Sequence, residues 1–300
     1  MEQQRRAYVL AVVAVLFWAT AATAFKLSLQ YLTPATLVLY ASLTACLCLL
    51  LILTLTKRYR ELGDWRARDI GRSALMGLLN PFAYYVILLE AYNRLPAQQA
   101  QPLNFAWPIV LVLMSVVLLK QRPGIVTIPA MALSFTGVTV IATRGSFTGF
   151  QSTDPIGVAL ALGSTIVWAL YWVLSVRDAR DPMNRLCLNF AFGSAYTLFY
   201  LAASDTLVAP TLPGLLGATY VGLFEMGLTF ALWLRALQLS RTAAEVSNLI
   251  YLTPFVSLLL IGIVLGESIH PSTLIGLVLI IGGILIQQYA GWRRSPTAAG

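Results

Sequence analysis

The chain has little charge. Asp, Glu, Lys and Arg make up 11% of its 300 residues and hydrophobic residues 58%, whereas a soluble domain carries about 25% charge. That balance excludes a water-soluble globular domain and indicates a protein embedded in lipid. Histidine is almost missing: His270 stands before Pro271, and no metal-ligand cluster, Gly-rich phosphate loop or nucleophile with a base accompanies it. No catalytic residue, metal ligand or cofactor is therefore assigned, and the chain is not expected to be an enzyme. The 3 cysteines, Cys46, Cys48 and Cys187, lie in apolar stretches. There Cys behaves as a small apolar residue, so no disulfide framework is implied.

What the chain does have is long runs free of charge. Ten stand out, at 7–25, 27–56, 73–89, 95–119, 123–143, 155–176, 186–204, 206–224, 246–266 and 268–292. Each has about the 17 to 25 residues that cross a hydrocarbon core, or slightly more. The expected fold class is an all-α integral membrane protein with ten transmembrane helices and short loops. Arg5-Arg6, the following apolar run and Ala22-Thr23-Ala24 imitate a cleavable signal. The first segment is nevertheless expected to be retained, because Trp18-Ala19 belongs to the repeat described next.

Trp18-Ala19 recurs as Trp168-Ala169, Ala91 as Ala236, Pro108 as Pro254, Thr127 as Thr273 and Gly137 as Gly283, at offsets of 150, 145, 146, 146 and 146 residues. The chain thus reads as two copies, 1–145 and 146–300. Five segments per copy is an odd number, so the second copy must enter the membrane from the other side. Inverted repeats of this kind mark secondary transporters, with the substrate path where the halves meet.

The basic residues orient the bundle. With the N-terminus inside, 17 of 20 fall on the cytoplasmic side: Arg5 and Arg6, the cluster from Lys57 to Arg72, Lys120 and Arg122, Arg177, Arg180 and Arg185, Arg235 and Arg241, and Arg293 and Arg294. The positive-inside rule then puts both termini in the cytoplasm. The net charge of +8 is accounted for by loops beside anionic lipid and requires no nucleic-acid partner.

Two ionisable residues lie inside the expected spans. Lys26 can snorkel to the interface on its long stem or take part in function. Glu225 falls about a dozen residues into the eighth span, near mid-membrane. A carboxylate there costs about 2.5 to 3.5 kcal/mol unless it faces a wet cavity or is protonated, so it is either a functional group or a neutral acid bonded between helices.

The fourth span reads Gln98-Gln99-Ala100-Gln101-Pro102-Leu103-Asn104-Phe105-Ala106-Trp107-Pro108, and the ninth Glu245-Val246-Ser247-Asn248-Leu249-Ile250-Tyr251-Leu252-Thr253-Pro254. Pro108 and Pro254 are equivalent in the two copies. Each lacks an amide donor, so these segments are expected to break where protein or water satisfies the freed carbonyls, and to act as hinges. Matched proline-interrupted segments point to a transporter's binding site. Helical spacing aligns Gln98, Gln101 and Asn104 or Phe105 on one stripe, and Asn248 and Tyr251 on another. Ser164, Trp168, Tyr171 or Trp172 and Ser175 form a third, and Asn80 and Tyr84 a fourth, with Pro81 and Tyr85 beside it. Gly262 and Gly266 form a Gly-x-x-x-Gly pair expected to let helices slide closely.

The inverted repeat, the paired Trp-Ala dipeptides, Asn104-Phe105-Ala106-Trp107-Pro108 and Tyr251-Leu252-Thr253-Pro254 together resemble the bacterial drug/metabolite transporter superfamily (EamA-type). The first of these proline runs and Val167-Trp168-Ala169-Leu170-Tyr171 look like its aromatic amino acid exporter branch. The resemblance implies an inner-membrane exporter of small amphipathic or cationic compounds, aromatic amino acids above all. It also implies a central cavity bounded by Trp18, Tyr84, Phe105, Trp107, Trp168, Trp172, Asn248 and Tyr251. Asn80, Gln101, Asn104 and Glu225 are expected to add polar contacts. The chain departs from its relatives where Glu267 has Gln121 as repeat partner, and where a basic residue early in the second span is missing. Alternatives are a relative carrying another substrate, such as a quaternary ammonium compound, or a membrane protein that does not transport.

Overall fold

The computed structural model describes residues 2–60, 65–118, 126–146, 154–176, 178–241, 246 and 248–292. Of the residues discussed above, Lys120, Gln121, Arg122, Arg177, Glu245, Ser247, Arg293 and Arg294 lie outside that set. Among the described residues every regular element is helical. The order is α1 (Glu2–Ser28), α2 (Pro34–Leu55), α3 (Ala67–Gly77), a π-helical turn (Leu78–Ala83), α4 (Tyr84–Arg94), α5 (Ala97–Asn104), α6 (Trp107–Leu118), α7 (Thr127–Ala142) and α8 (Pro155–Val176). There follow α9 (Pro182–Ala203), α10 (Leu212–Val221), a second π-helical turn (Gly222–Gly227), α11 (Leu228–Leu239), a 3-10 turn (Asn248–Leu252), α12 (Thr253–Leu265) and α13 (Pro271–Trp292).

Eight helical runs among the described residues are long and apolar enough to span a membrane, and α7 is a shorter apolar helix. The expected stretch 95–119 is divided between α5 and α6. Two runs extend well past the charge-free stretches that announce them. The run Ala67–Arg94 continues through Glu90 to Arg94, and the run Leu212–Leu239 through Glu225 to Leu239. Their charges are accommodated locally: Arg94 Nε donates to Glu90 Oε1 at 2.8 Å one turn away, and Tyr85 OH donates to Glu225 Oε1 at 3.0 Å.

The helix starts are written in the sequence. Thr33, Asp181 and Thr211 are N-caps whose side chains accept from backbone amides of the first turn, followed by Pro34, Pro182 and Pro213 at positions where no amide donor is needed. Such caps matter because lipid cannot solvate exposed amides.

Helix α7 packs along α13, α2 along α9, α1 against α11 and α12, and α8 against α4 and α6. The closest approaches are made by glycine. A Cβ on Gly137 would overlap the carbonyl of Gly276, and one on Gly283 would overlap that of Ala130. Ser134 Oγ donates to Ile280 O between them at 3.0 Å. Residues 130, 134 and 137 are the repeat partners of 276, 280 and 283, so the contact is reciprocal. A second reciprocal pair lies elsewhere in the bundle, where Gly77 abuts the Asn189 carbonyl and Gly222 that of Ala41. The Gly262–Gly266 expectation is corrected. Gly266 ends α12 in a left-handed conformation (φ 67°) with nothing near its Cβ position, and Gly262 faces only the loop at Glu267 and Ile269. An isolated Gly-x-x-x-Gly at a helix end is a terminator here, not a packing face.

At one end of the bundle, the loop between α8 and α9 is tied to α3. Asp178 is buried and pairs with Arg180 at 2.6 Å, Arg72 at 3.3 Å and Arg185 at 3.6 Å. The Arg180 guanidinium also lies 4.4 Å over the Trp65 ring and bonds the Asp69 carbonyl. Burial pushes the Asp178 carboxyl up, but hydrogen bonds from Arg180 and the nearby guanidinium charges hold it below the ordinary carboxylate range.

Two outcomes follow for stability. A Gly276→Val chain, with a side chain forced against Ile141 and the Gly137 carbonyl, will be destabilised by about 1–3 kcal/mol, read as a lower melting temperature in detergent. Asp178→Asn will melt below wild type at neutral pH. Because the folded Asp178 titrates below its unfolded value, its contribution is present above that unfolded value and fades as pH falls through the folded one. The two melting curves should therefore converge in acid, and a constant gap would contradict the network.

Candidate functional site

The structure holds a cavity of about 390 Å³ among α1, α4, α5, α6, α8, α11, α12 and α13. Four of its wall segments adjoin a helix break. The α5–α6 run breaks at Phe105-Ala106, where Phe105 N donates to Gln101 O at 2.9 Å and Ala106 N to Leu103 O at 3.2 Å. Pro108 then sits in the first turn of α6. In the partner segment the chain winds as a 3-10 turn up to Leu252, and Pro254 occupies the first turn of α12. The π-helical turns Leu78–Ala83 and Gly222–Gly227 interrupt the other pair of matched segments. Such turns aim side chains that a regular helix would rotate away.

Ten of the twelve expected binding residues meet on this wall: Trp18, Tyr84, Gln101, Asn104, Phe105, Trp107, Trp168, Trp172, Glu225 and Tyr251. Asn80 and Asn248 do not. Asn80 is buried inside the π-helical turn, with extended backbone (φ −144°, ψ 117°), behind the wall. Asn248 is exposed at the first residue of its 3-10 turn. Gln98, on the same stripe as Gln101, is used structurally: its side chain donates to Ser268 O and accepts from His270 N, both at 2.8 Å.

The wall also holds Phe25, Tyr92, Phe230, Trp233, Thr253 and Gln288. Phe230 and Trp233 were hidden because the charge-free stretch stops at Phe224, whereas the helix does not. The spacing Phe230, Trp233, Leu237 is itself a helical stripe and was the available signal.

Hydrogen bonds and ring contacts order the wall. Asn104 accepts from Tyr84 OH at 3.2 Å and donates to Ser164 Oγ at 2.9 Å. Tyr84 stacks on Trp168 at 4.5 Å between centroids, and Trp168 stacks on Tyr171 at 5.7 Å. Trp18 meets Phe230 edge-on at 5.5 Å and Trp233 at 5.2 Å. Tyr251 accepts from Gln288 Nε2 and faces Phe105 at 6.4 Å.

Four polar atoms on the wall have no hydrogen-bond partner among the described residues: Gln101 Oε1, Trp172 Nε1, Glu225 Oε2 and Thr253 Oγ1. Buried polar groups are ordinarily paired, so these four atoms are available to a polar ligand or water in the cavity. The rings supply stacking surface and the amides supply directional bonds. Among the described residues no group of three or more His, Cys, Asp or Glu is placed to hold a metal ion.

Phe25, Tyr92 and Gln101 line one end of the cavity, and beside them two sets of contacts tie the chain together. Lys26 Nζ donates to Tyr92 O at 2.8 Å and Leu95 O at 3.1 Å. The Glu267 carboxylate accepts from Ala97 N at 2.8 Å and Gln98 N at 3.0 Å, capping α5. Lys26 thus binds the carbonyls that end α4 and so neutralises the negative pole of that helix.

The comparisons agree with this architecture. The model of the EamA-like transporter family matches the chain twice, over residues 5–143 and 155–287. Relatives include the transporter YvbV of Bacillus subtilis, 27% identical over 74% of this chain and 73% of its own length. The aromatic amino acid exporter YddG of Ancylobacter novellus is 28% identical over 73% and 79%. A probable terminal-alkyne amino-acid exporter of Streptantibioticus cattleyicolor is 26% identical over 78% and 79%. One solved crystal structure shares the fold with a TM-score of 0.67 at 21% identity, covering 96% of this chain and 99% of its own. With two family matches that together take in most of the chain, a lipid-compatible helical bundle and a polar, aromatic cavity inside it, the chain belongs to the EamA-like transporter family and is a multi-pass membrane transporter.

Proposed function

We propose that the chain exports amino acids, aromatic ones favoured, together with similar small amphipathic or cationic compounds across the bacterial inner membrane. The observation that carries this reading is the central cavity, where stacked rings and unpaired amide, indole, hydroxyl and carboxylate groups line one volume. Two relatives, an aromatic amino acid exporter and a probable terminal-alkyne amino-acid exporter, support the substrate class. Each aromatic pair formed with a substrate ring is worth about 0.5–1.5 kcal/mol beyond burial. Contacts of that size select a ligand and still release it.

In this reading the chain works by alternating access between two inverted five-segment halves, residues 1–145 and 146–300, with both termini cytoplasmic. Support comes from the two family matches, the reciprocal glycine contacts, and the breaks that recur in matched segments. Pro108 and Pro254, each at a break, are the proposed hinges. The Lys26 and Glu267 contacts then close the periplasmic end, while the wall extends toward the cytoplasm through Leu111, Trp172, Leu237 and Gln288.

Reconstituted vesicles test the function directly. Wild type should carry labelled phenylalanine and tryptophan faster than threonine, and Trp168→Ala, which removes the ring stacked on Tyr84, should cut that flux about tenfold or more with normal expression. Undiminished flux in the variant would remove the cavity from the path. For the closure, a cysteine at Leu88 in a background lacking the native cysteines should react several-fold faster with a membrane-impermeant thiol reagent from outside when Lys26 is changed to Met. An unchanged rate would show that Lys26 does not hold that end shut.

A further inference from the structure

Within the cavity the contacts around Glu225 form a closed circuit. Glu225 Oε1 accepts from Tyr85 OH at 3.0 Å. The Tyr85 ring lies 4.8 Å from that of Tyr84, Tyr84 stacks at 4.5 Å on Trp168, Trp168 lies 6.5 Å from Phe230, and Phe230 lies 5.5 Å from Trp18. Trp18 Nε1 closes the loop by donating to the backbone carbonyl of Glu225 at 3.2 Å. The carboxyl is therefore held at one oxygen, while Oε2 has no partner among the described residues. Trp18, Tyr84, Trp168 and Phe230 line the same cavity, and aromatic faces attract cations. No Lys, Arg or His lines the cavity among the described residues, so nothing there neutralises this acid or pairs with a ligand's carboxylate.

We propose that Glu225 and its surrounding rings form an ammonium-binding subsite that sets specificity. The positive charge of the ligand is the group recognised, and a carboxylate on the ligand is not required. The subsite takes a primary ammonium attached to an aromatic or apolar body, of which an aromatic amino acid is one case and its decarboxylated amine another. This rests on the export reading above and specifies which end of the substrate the protein holds. The free Oε2 accepts a charge-assisted hydrogen bond from the ammonium. Trp18, Phe230, Trp168 and Tyr84 complete the shell with cation–π contacts.

Three indole ligands of different charge test it on the purified full chain in lipid nanodiscs at mildly alkaline pH. Tryptophan carries both charges, tryptamine the ammonium alone, and indole-3-propionate the carboxylate alone. Equilibrium binding should place tryptamine at least level with tryptophan, and indole-3-propionate about tenfold or more weaker. Glu225→Gln should weaken the two ammonium ligands about tenfold and leave indole-3-propionate little changed, whereas Glu225→Asp, which keeps the charge, should preserve the wild-type order. Indole-3-propionate binding as tightly as tryptophan, or Glu225→Gln keeping the wild-type order and affinities, would overturn the subsite. Binding of none of the three would also overturn it. Phenylalanine flux in vesicles then reports separately whether the export reading survives.

Discussion

Lipid offers no hydrogen bond, and the architecture is organised around that constraint. A continuous helix satisfies its own backbone, so each interruption has to find a partner inside the bundle. Here the interruptions at Leu78–Ala83, Phe105-Ala106, Gly222–Gly227 and Asn248–Leu252 are gathered toward the interior, and the side chains beside them build one cavity. The same requirement explains the capped helix starts at Thr33, Asp181 and Thr211, and the service of Glu267 to the first amides of α5. Irregular backbone in such a protein is not loose structure. It is the place where a ligand can touch polar groups at membrane depth.

Much of this is legible in the sequence, because the physics involved is local and one-dimensional. Charge-free length marks the helical runs, Pro108 and Pro254 mark the breaks, and the recurrence of Trp18-Ala19 as Trp168-Ala169 marks two wall helices. Glu225 announces itself as an acid where insertion is costly. The sequence reading fails where a charge is tolerated through a partner that is distant in the chain. Glu225 ends a charge-free count, yet Tyr85, 140 residues earlier, donates a hydrogen bond to it, and the helix continues past it to Phe230 and Trp233, which a charge-free count does not reach. Periodicity also overreaches. It places Gln98 with Gln101 and Asn248 with Tyr251, but Gln98 is occupied by the loop at Ser268 and His270, and Asn248 begins its turn at an exposed edge.

The two halves differ most where chemistry is concentrated. Lys26 and Glu267 tie one end together, and the repeat partner of Glu267 is Gln121. Asn80, neutral and buried behind the wall, stands at the repeat position of Glu225, which faces the cavity. Shared features such as the interrupted helices and small-residue contacts concern shape. The unshared ones concern charge, and charge is what distinguishes one small molecule from another.

Gly137 against the Gly276 carbonyl and Gly283 against that of Ala130 are the two halves of the self-complementary patch that identical subunits present to each other about a twofold axis. In a pair of separate half-length chains any substitution there would strike both sides at once. Within one polypeptide that coupling is absent: position 130, which matches Gly276, is an alanine, so one side of the contact can change while the other keeps its glycine.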